Sequence, residues 1–139
     1  MSYTPKYLLD NKNNYPNEPA LSEKIDGFWS TLTWSEYYDY VIKIAKSLIA
    51  MNMNEGDKGS IYSYNRKEWF GCYSAMQMIN STSVAVYHTS SSAEVEWIVG
   101  NSDSKIIFVG HNPNDNGEED KMPLVRLLSI IDKIESLET

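Results

Sequence analysis

Cys72 is the chain's one cysteine, and a lone thiol cannot make an internal disulfide. That argues against a disulfide-stapled secreted domain and sets the expectation of an intracellular, cytoplasmic protein. Long apolar runs are missing too. No segment approaches the roughly 20 apolar residues needed to span a bilayer. The opening MSYTPKYLLDNKNNYP lacks the apolar core of a signal peptide. Basic residues are scarce, with 12 Lys and Arg against 19 Asp and Glu and a net charge of −7. Binding to a phosphate backbone needs clustered cations, so nucleic acid is not expected as a main partner. Two histidines and one cysteine, far apart, give no zinc-ligand spacing. There is no internal repeat.

What is present suits one folded domain. A chain of 139 residues can bury a single core, and 42% hydrophobic residues is too many for a chain disordered by composition. The organising stretch is Asn65 to Thr89, NRKEWFGCYSAMQMINSTSVAVYHT. Trp69, Cys72, Tyr73, Met76 and Ile79 recur at helical spacing and predict the inner face of a helix. Asn65 and Glu68 are placed for a capping box, and Asn80 for a left-handed stop. Val84 to Tyr87 then reads as a strand covered on both faces, as in a parallel sheet. Ser60 to Tyr64 supplies the preceding strand of a βαβ unit.

In chain order, residues 1–18 are polar and Asn-rich and read as a loose arm. Ala20 to Ile25 and Phe28 to Thr33 flank Asp26-Gly27, a two-residue hairpin signal. Thr33-Trp34-Ser35-Glu36 is a capping box opening a helix to about Met51, with Tyr37, Val41, Ala45, Leu48 and Ile49 inward. Asn52 offers its stop. Ser91 to Glu94 caps a short helix with Val95, Ile98 and Val99 inward, ending near Gly100-Asn101. Lys105 to Val109 is the third buried strand, and His111 to Lys121 a polar, acidic loop. Leu124, Leu127, Leu128, Ile131 and Ile134 predict a final amphipathic helix. The expected fold class is α/β: a partial parallel sheet with helices on both faces, preceded by a β-hairpin.

Candidate chemistry is thin. Gly56-Asp57-Lys58-Gly59-Ser60 lacks the phosphate-loop spacing and opens a strand rather than a helix, so it reads as a turn. Cys72 with His88 or His111 would be a nucleophile and base, but Cys72 lies on an apolar helix face and reads as packing. Asn112 to Asp120 is rich in oxygen ligands but lacks the order of a calcium loop. Asn80-Ser81-Thr82 is a formal glycosylation sequon placed where a helix ends, and reads as the helix stop. The aromatics Tyr37, Tyr38, Tyr40, Trp69 and Tyr73 lie at helical spacing and read as core and rim. The residues alone give no catalytic, cofactor-binding or metal site.

The order of landmarks resembles the start of the adenylate-forming, or AMP-binding, acyl-CoA synthetases. Tyr15-Pro16-Asn17-Glu18-Pro19-Ala20-Leu21 resembles their YPxxPAL, and Leu32 to Glu36 their LTYxEL. Met51 to Lys58 resembles LGVxPGDR. Asn65 to Trp69 resembles NRPEW, which favours the long-chain fatty acid branch. Val84 to Thr89 resembles VPIYPT, and Ser92-Ala93-Glu94 followed by Asp103 to Val109 resembles SAEE…DSxAKxxFV. Asn52 and Asn80 stand where the family has glycine, and asparagine is the next best residue at positive φ. Glu55, Ala85 and His88 replace family prolines. His88 is the odd one, a titratable group at a strand end, where α/β sheets border ligand crevices.

The resemblance implies a long-chain fatty acid–CoA ligase. Such an enzyme joins a carboxylate to the α-phosphate of ATP and then passes the acyl group to coenzyme A. It also implies a Ser/Thr/Gly-rich phosphate loop with a Lys, Mg²⁺ to offset phosphate charge, an acidic residue for the ribose and a Lys on a C-terminal domain. None of these motifs occurs in the 139 residues. The expectation is therefore a loose arm over 1–18 and, over 19–139, an incomplete N-terminal α/β domain, inactive by itself and continuing in frame beyond Thr139. A fatty acid is the expected substrate of the parent, and the rest of its own chain or a second copy the expected protein partner. Peripheral membrane association would fit a lipid substrate, although no amphipathic basic helix supports it. The alternative is a free-standing, non-catalytic α/β module used for binding or regulation.

Overall fold

A computed structural model describes residues 4–111 and 122–137. The chain forms two compact units where the sequence suggests one domain after a loose arm. The first runs to Asn54 and includes Arg66–Asn80; the second comprises Glu55–Asn65 and the chain from Ser81 onward.

The first unit holds helix α1 (Thr4–Asn14), strands β1 (Pro19–Ile25) and β2 (Phe28–Thr33), and helices α2 (Trp34–Ala50) and α3 (Lys67–Met78). The arm expected to be loose is mostly α1, which corrects that reading. Its composition is poor for a helix, but tertiary contacts hold it: Leu8 is buried, Lys12 pairs with Asp39 at 3.1 Å, and the same ammonium lies 4.3 Å from the Tyr38 ring centroid. Pro5 is tolerated because it sits in the first turn. The hairpin forms as read. Asp26 and Gly27 take φ of 49° and 86°, and Ile25 faces Phe28.

Thr33 opens α2 with a complete capping box, its hydroxyl accepting from the Glu36 N–H while the Glu36 carboxylate accepts from the Thr33 N–H. Hydrogen bonds from the Thr33 backbone and side chain hold the Glu36 carboxyl below its ordinary value of 4.5. This contribution is present above that value and is lost as pH falls through the lower folded value. Tyr37, Val41, Ala45 and Leu48 are buried as expected, whereas Ile49 is exposed. Asn52 takes the left-handed turn at φ 59°.

Helix α3 departs from its expected start, and its expected face is borne out at Cys72 and Met76 but not at Trp69 and Tyr73. Arg66, not Asn65, is the N-cap, and it makes no side-chain cap bond. Glu68 instead pairs with Arg66 at 2.6 Å. The buried residues are Gly71, Cys72, Ser74, Ala75 and Met76, while Trp69 and Tyr73 lie half-buried and stacked, their ring centroids 5.6 Å apart. The small residues face α2. A Cβ at position 71 would lie 2.5 Å from Tyr40 Cε1 and 2.9 Å from Ile44 Cδ1. One helical turn on, the Tyr37 hydroxyl lies 2.8 Å from Ser74 Oγ and donates to the Phe70 carbonyl at 3.1 Å. Asn80 ends the segment at φ 60°, as read.

The second unit is a parallel sheet of β3 (Lys58–Ser63), β4 (Thr82–Tyr87) and β5 (Ser104–Val109), in the order β4-β3-β5. Helix α4 (Ser92–Asn101) lies between β4 and β5 in sequence. Helix α5 (Pro123–Leu128) and a short 3₁₀ turn, Ile131–Lys133, come last. Only the central strand is buried along its length, from Gly59 to Tyr62. The expected two-sided burial of β4 is corrected: it is an edge strand, with Val86 buried and Tyr87 81% exposed. One core joins Tyr62, Val86, Val95, Val99, Leu127 and Ile130. Ser91 caps α4 as predicted. Helix α4 ends at Asn101, as read, and Asp103 takes the left-handed turn after it at φ 54°. The final helix is shorter than the pattern suggests because it breaks at Ser129, whose hydroxyl bonds the Arg126 carbonyl at 2.7 Å.

Two mutations probe this packing. Met76 is 0% exposed. Met76→Asp buries an unpaired carboxylate, which costs several kcal/mol against a domain stability of about 5–15 kcal/mol. Unfolding or aggregation is expected in a thermal melt, and a parent-like melt would show that the site hydrates. Gly71→Leu forces Tyr40 and Ile44 aside and is expected to cost about 1–3 kcal/mol, read as a lower urea midpoint with unchanged slope.

Candidate functional site

In a parallel sheet the useful crevice lies outside the carboxyl ends of the strands, where the winding order reverses. Here β3 is followed in the sheet by β4 on one side and then by β5 on the other. The reversal therefore falls at β3, between the chain leaving Ser63 and the chain leaving Val109.

Three strand ends meet there. Tyr64 follows β3 and His88 follows β4; their rings lie 4.5 Å apart between centroids, tilted by 37°. Gly110 follows β5, and its N–H donates to the Tyr62 carbonyl at 2.9 Å. A Cβ at position 110 would fall 1.9 Å from Ser63 Oγ and 3.1 Å from the Ser63 Cα, so only glycine lets these two strand ends close. Ser63 Oγ is itself buried with no hydrogen-bond partner among the described residues. In the chain leaving β4, the Ser90 carbonyl accepts from the Tyr62 hydroxyl at 2.9 Å and from Arg126 Nη1 at 2.7 Å.

The result is a small aromatic and polar lip, in which the Tyr64 and His88 rings pack on each other and Ser63 Oγ lies buried under Gly110. Among the described residues, no glycine-rich turn opens a helix at it, and the cation beside it, Arg126, is bonded to the Ser90 carbonyl. His88 sits here, as its strand-end position suggested. Ser63, Tyr64 and Gly110 did not stand out in the sequence. The available signal was a glycine directly after KIIFV, since glycine at a strand end often marks a close backbone approach.

The other sequence candidates resolve as structure. Gly56 takes φ 82° in a turn before β3, at the opposite end of the sheet. Its neighbours are already engaged: Asp57 pairs with Lys105 at 3.0 Å, Lys58 lies 3.9 Å from Asp103, and Ser60 Oγ is 2.8 Å from Ser104 Oγ. Cys72 is buried, and burial, with a smaller contribution from Glu68, pushes its thiol up to about 11. A thiol held that high is a poor nucleophile near neutral pH. Cys72 belongs to the first unit, His88 and His111 to the second. Asn80 of the sequon serves as the helix stop. Among the described residues no three His, Cys, Asp or Glu side chains gather to hold a metal. Asn112 to Asp120 lies outside the described residues.

Comparison with known proteins adds what the geometry does not. The family model for AMP-binding enzymes matches residues 8–139. A long-chain-fatty-acid–CoA ligase, FadD15 of Mycobacterium bovis, is 27% identical over 101 residues, covering 73% of this chain and 17% of that protein. The long-chain-fatty-acid–CoA ligase ACSBG2 of Rattus norvegicus is 26% identical over 134 residues, covering 96% of this chain and 19% of that protein. The chain thus spans less than a fifth of the length of these relatives. The crystal structure of coronafacic acid ligase from Pectobacterium brasiliense superposes with a TM-score of 0.82 at 20% identity, over 99% of this chain and 25% of that one. At that identity the superposition speaks for the α/β fold. The family match runs through both units, and on it this chain belongs to the AMP-binding enzyme family.

Proposed function

We propose that these residues are the N-terminal part of an ATP-dependent acid–thiol ligase that activates a long-chain fatty acid as its adenylate and transfers it to coenzyme A. The observation that carries this reading is the family match over residues 8–139, together with relatives that are long-chain-fatty-acid–CoA ligases. The Asn65-Arg66-Lys67-Glu68-Trp69 segment supports the long-chain branch. ATP, coenzyme A and Mg²⁺ are the cofactors proposed for the parent.

The residues described here do not fit those cofactors. The glycine pair Gly56 and Gly59 brackets the entry to a strand, and the side chains around it are spent on ion pairs. Phosphoryl chemistry needs cations and amide groups preorganised around developing charge. The proposal assigns that chemistry to other parts of the parent enzyme. The part played by residues 1–139 is a scaffold: a sheet whose strand ends border a crevice, and a helical layer locked by the α2–α3 contact.

This reading has a direct test. The 139-residue chain by itself is expected to show no fatty-acid-dependent ATP–pyrophosphate exchange above a protein-free blank. A parent containing it is expected to exchange when given a long-chain fatty acid. Exchange by the 139 residues alone would refute the scaffold assignment. A parent that ignored fatty acids would refute the substrate class.

A further inference from the structure

We draw no further inference here: the strongest candidate, the apolar groove of about 390 Å³ in the first unit, lined from α1, α2 and the end of α3 by Leu9, Ile42, Ile49 and Ile79 together with Lys6 and Lys46, carries nothing because nothing in the structure shows what covers it.

Discussion

The first unit depends on one missing side chain. Gly71 lets the Tyr40 ring and the Ile44 methyl of α2 come to where a Cβ would otherwise stand. Two helices can approach that closely only across small residues, and α3 supplies Gly71, Ser74 and Ala75 along one ridge. The approach in turn sets the reach of Tyr37, whose hydroxyl is satisfied by Ser74 and the Phe70 carbonyl instead of being buried without a partner. Burial raises the pKa of that hydroxyl, the Ser74 hydrogen bond opposing it. The same contact fixes α2, and α2 is what α1 and the hairpin base rest on. Leu8, the Lys12–Asp39 pair and the Thr33 capping box all presuppose an α2 that does not move.

The second unit obeys a related constraint at its strand ends. Gly110 lies against Ser63, and the Ser90 carbonyl collects two donors, from Tyr62 and Arg126. These contacts shape the crevice lip. They belong to a chain whose family is known from its match over residues 8–139.

Where the sequence misled, the cause was contact rather than propensity. Residues 1–18 look loose because they are polar and Asn-rich, yet α1 is held by the buried Leu8, the Lys12–Asp39 pair and the contact of Lys12 with Tyr38. The α3 face was read in part: Cys72 and Met76 are buried as expected, but large apolar residues drew attention to Trp69 and Tyr73, which are half-buried, and away from Gly71, Ser74 and Ala75, which are buried. β4 looked doubly covered because Val84 to Tyr87 is continuously apolar; an edge strand has one partner, and Tyr87 and Ala85 stay exposed. The last helix broke at Ser129, whose hydroxyl competes for a backbone carbonyl in a way no apolar periodicity records.

The sequence by itself determined what local physics decides. Asp26-Gly27 makes the hairpin because both positions need positive φ, and Asn52 and Asn80 end helices for the same reason. The Thr33 and Ser91 boxes start helices because a hydroxyl and a carboxylate three residues apart satisfy each other's backbone. The ordered landmarks from Tyr15 to Val109 carried the family. Only the tertiary structure decided which strand is central, which helix face is small enough to be approached, and that Ser63, Tyr64, His88 and Gly110 meet. Those facts depend on residues far apart in the chain, and no local pattern encodes the distance between them.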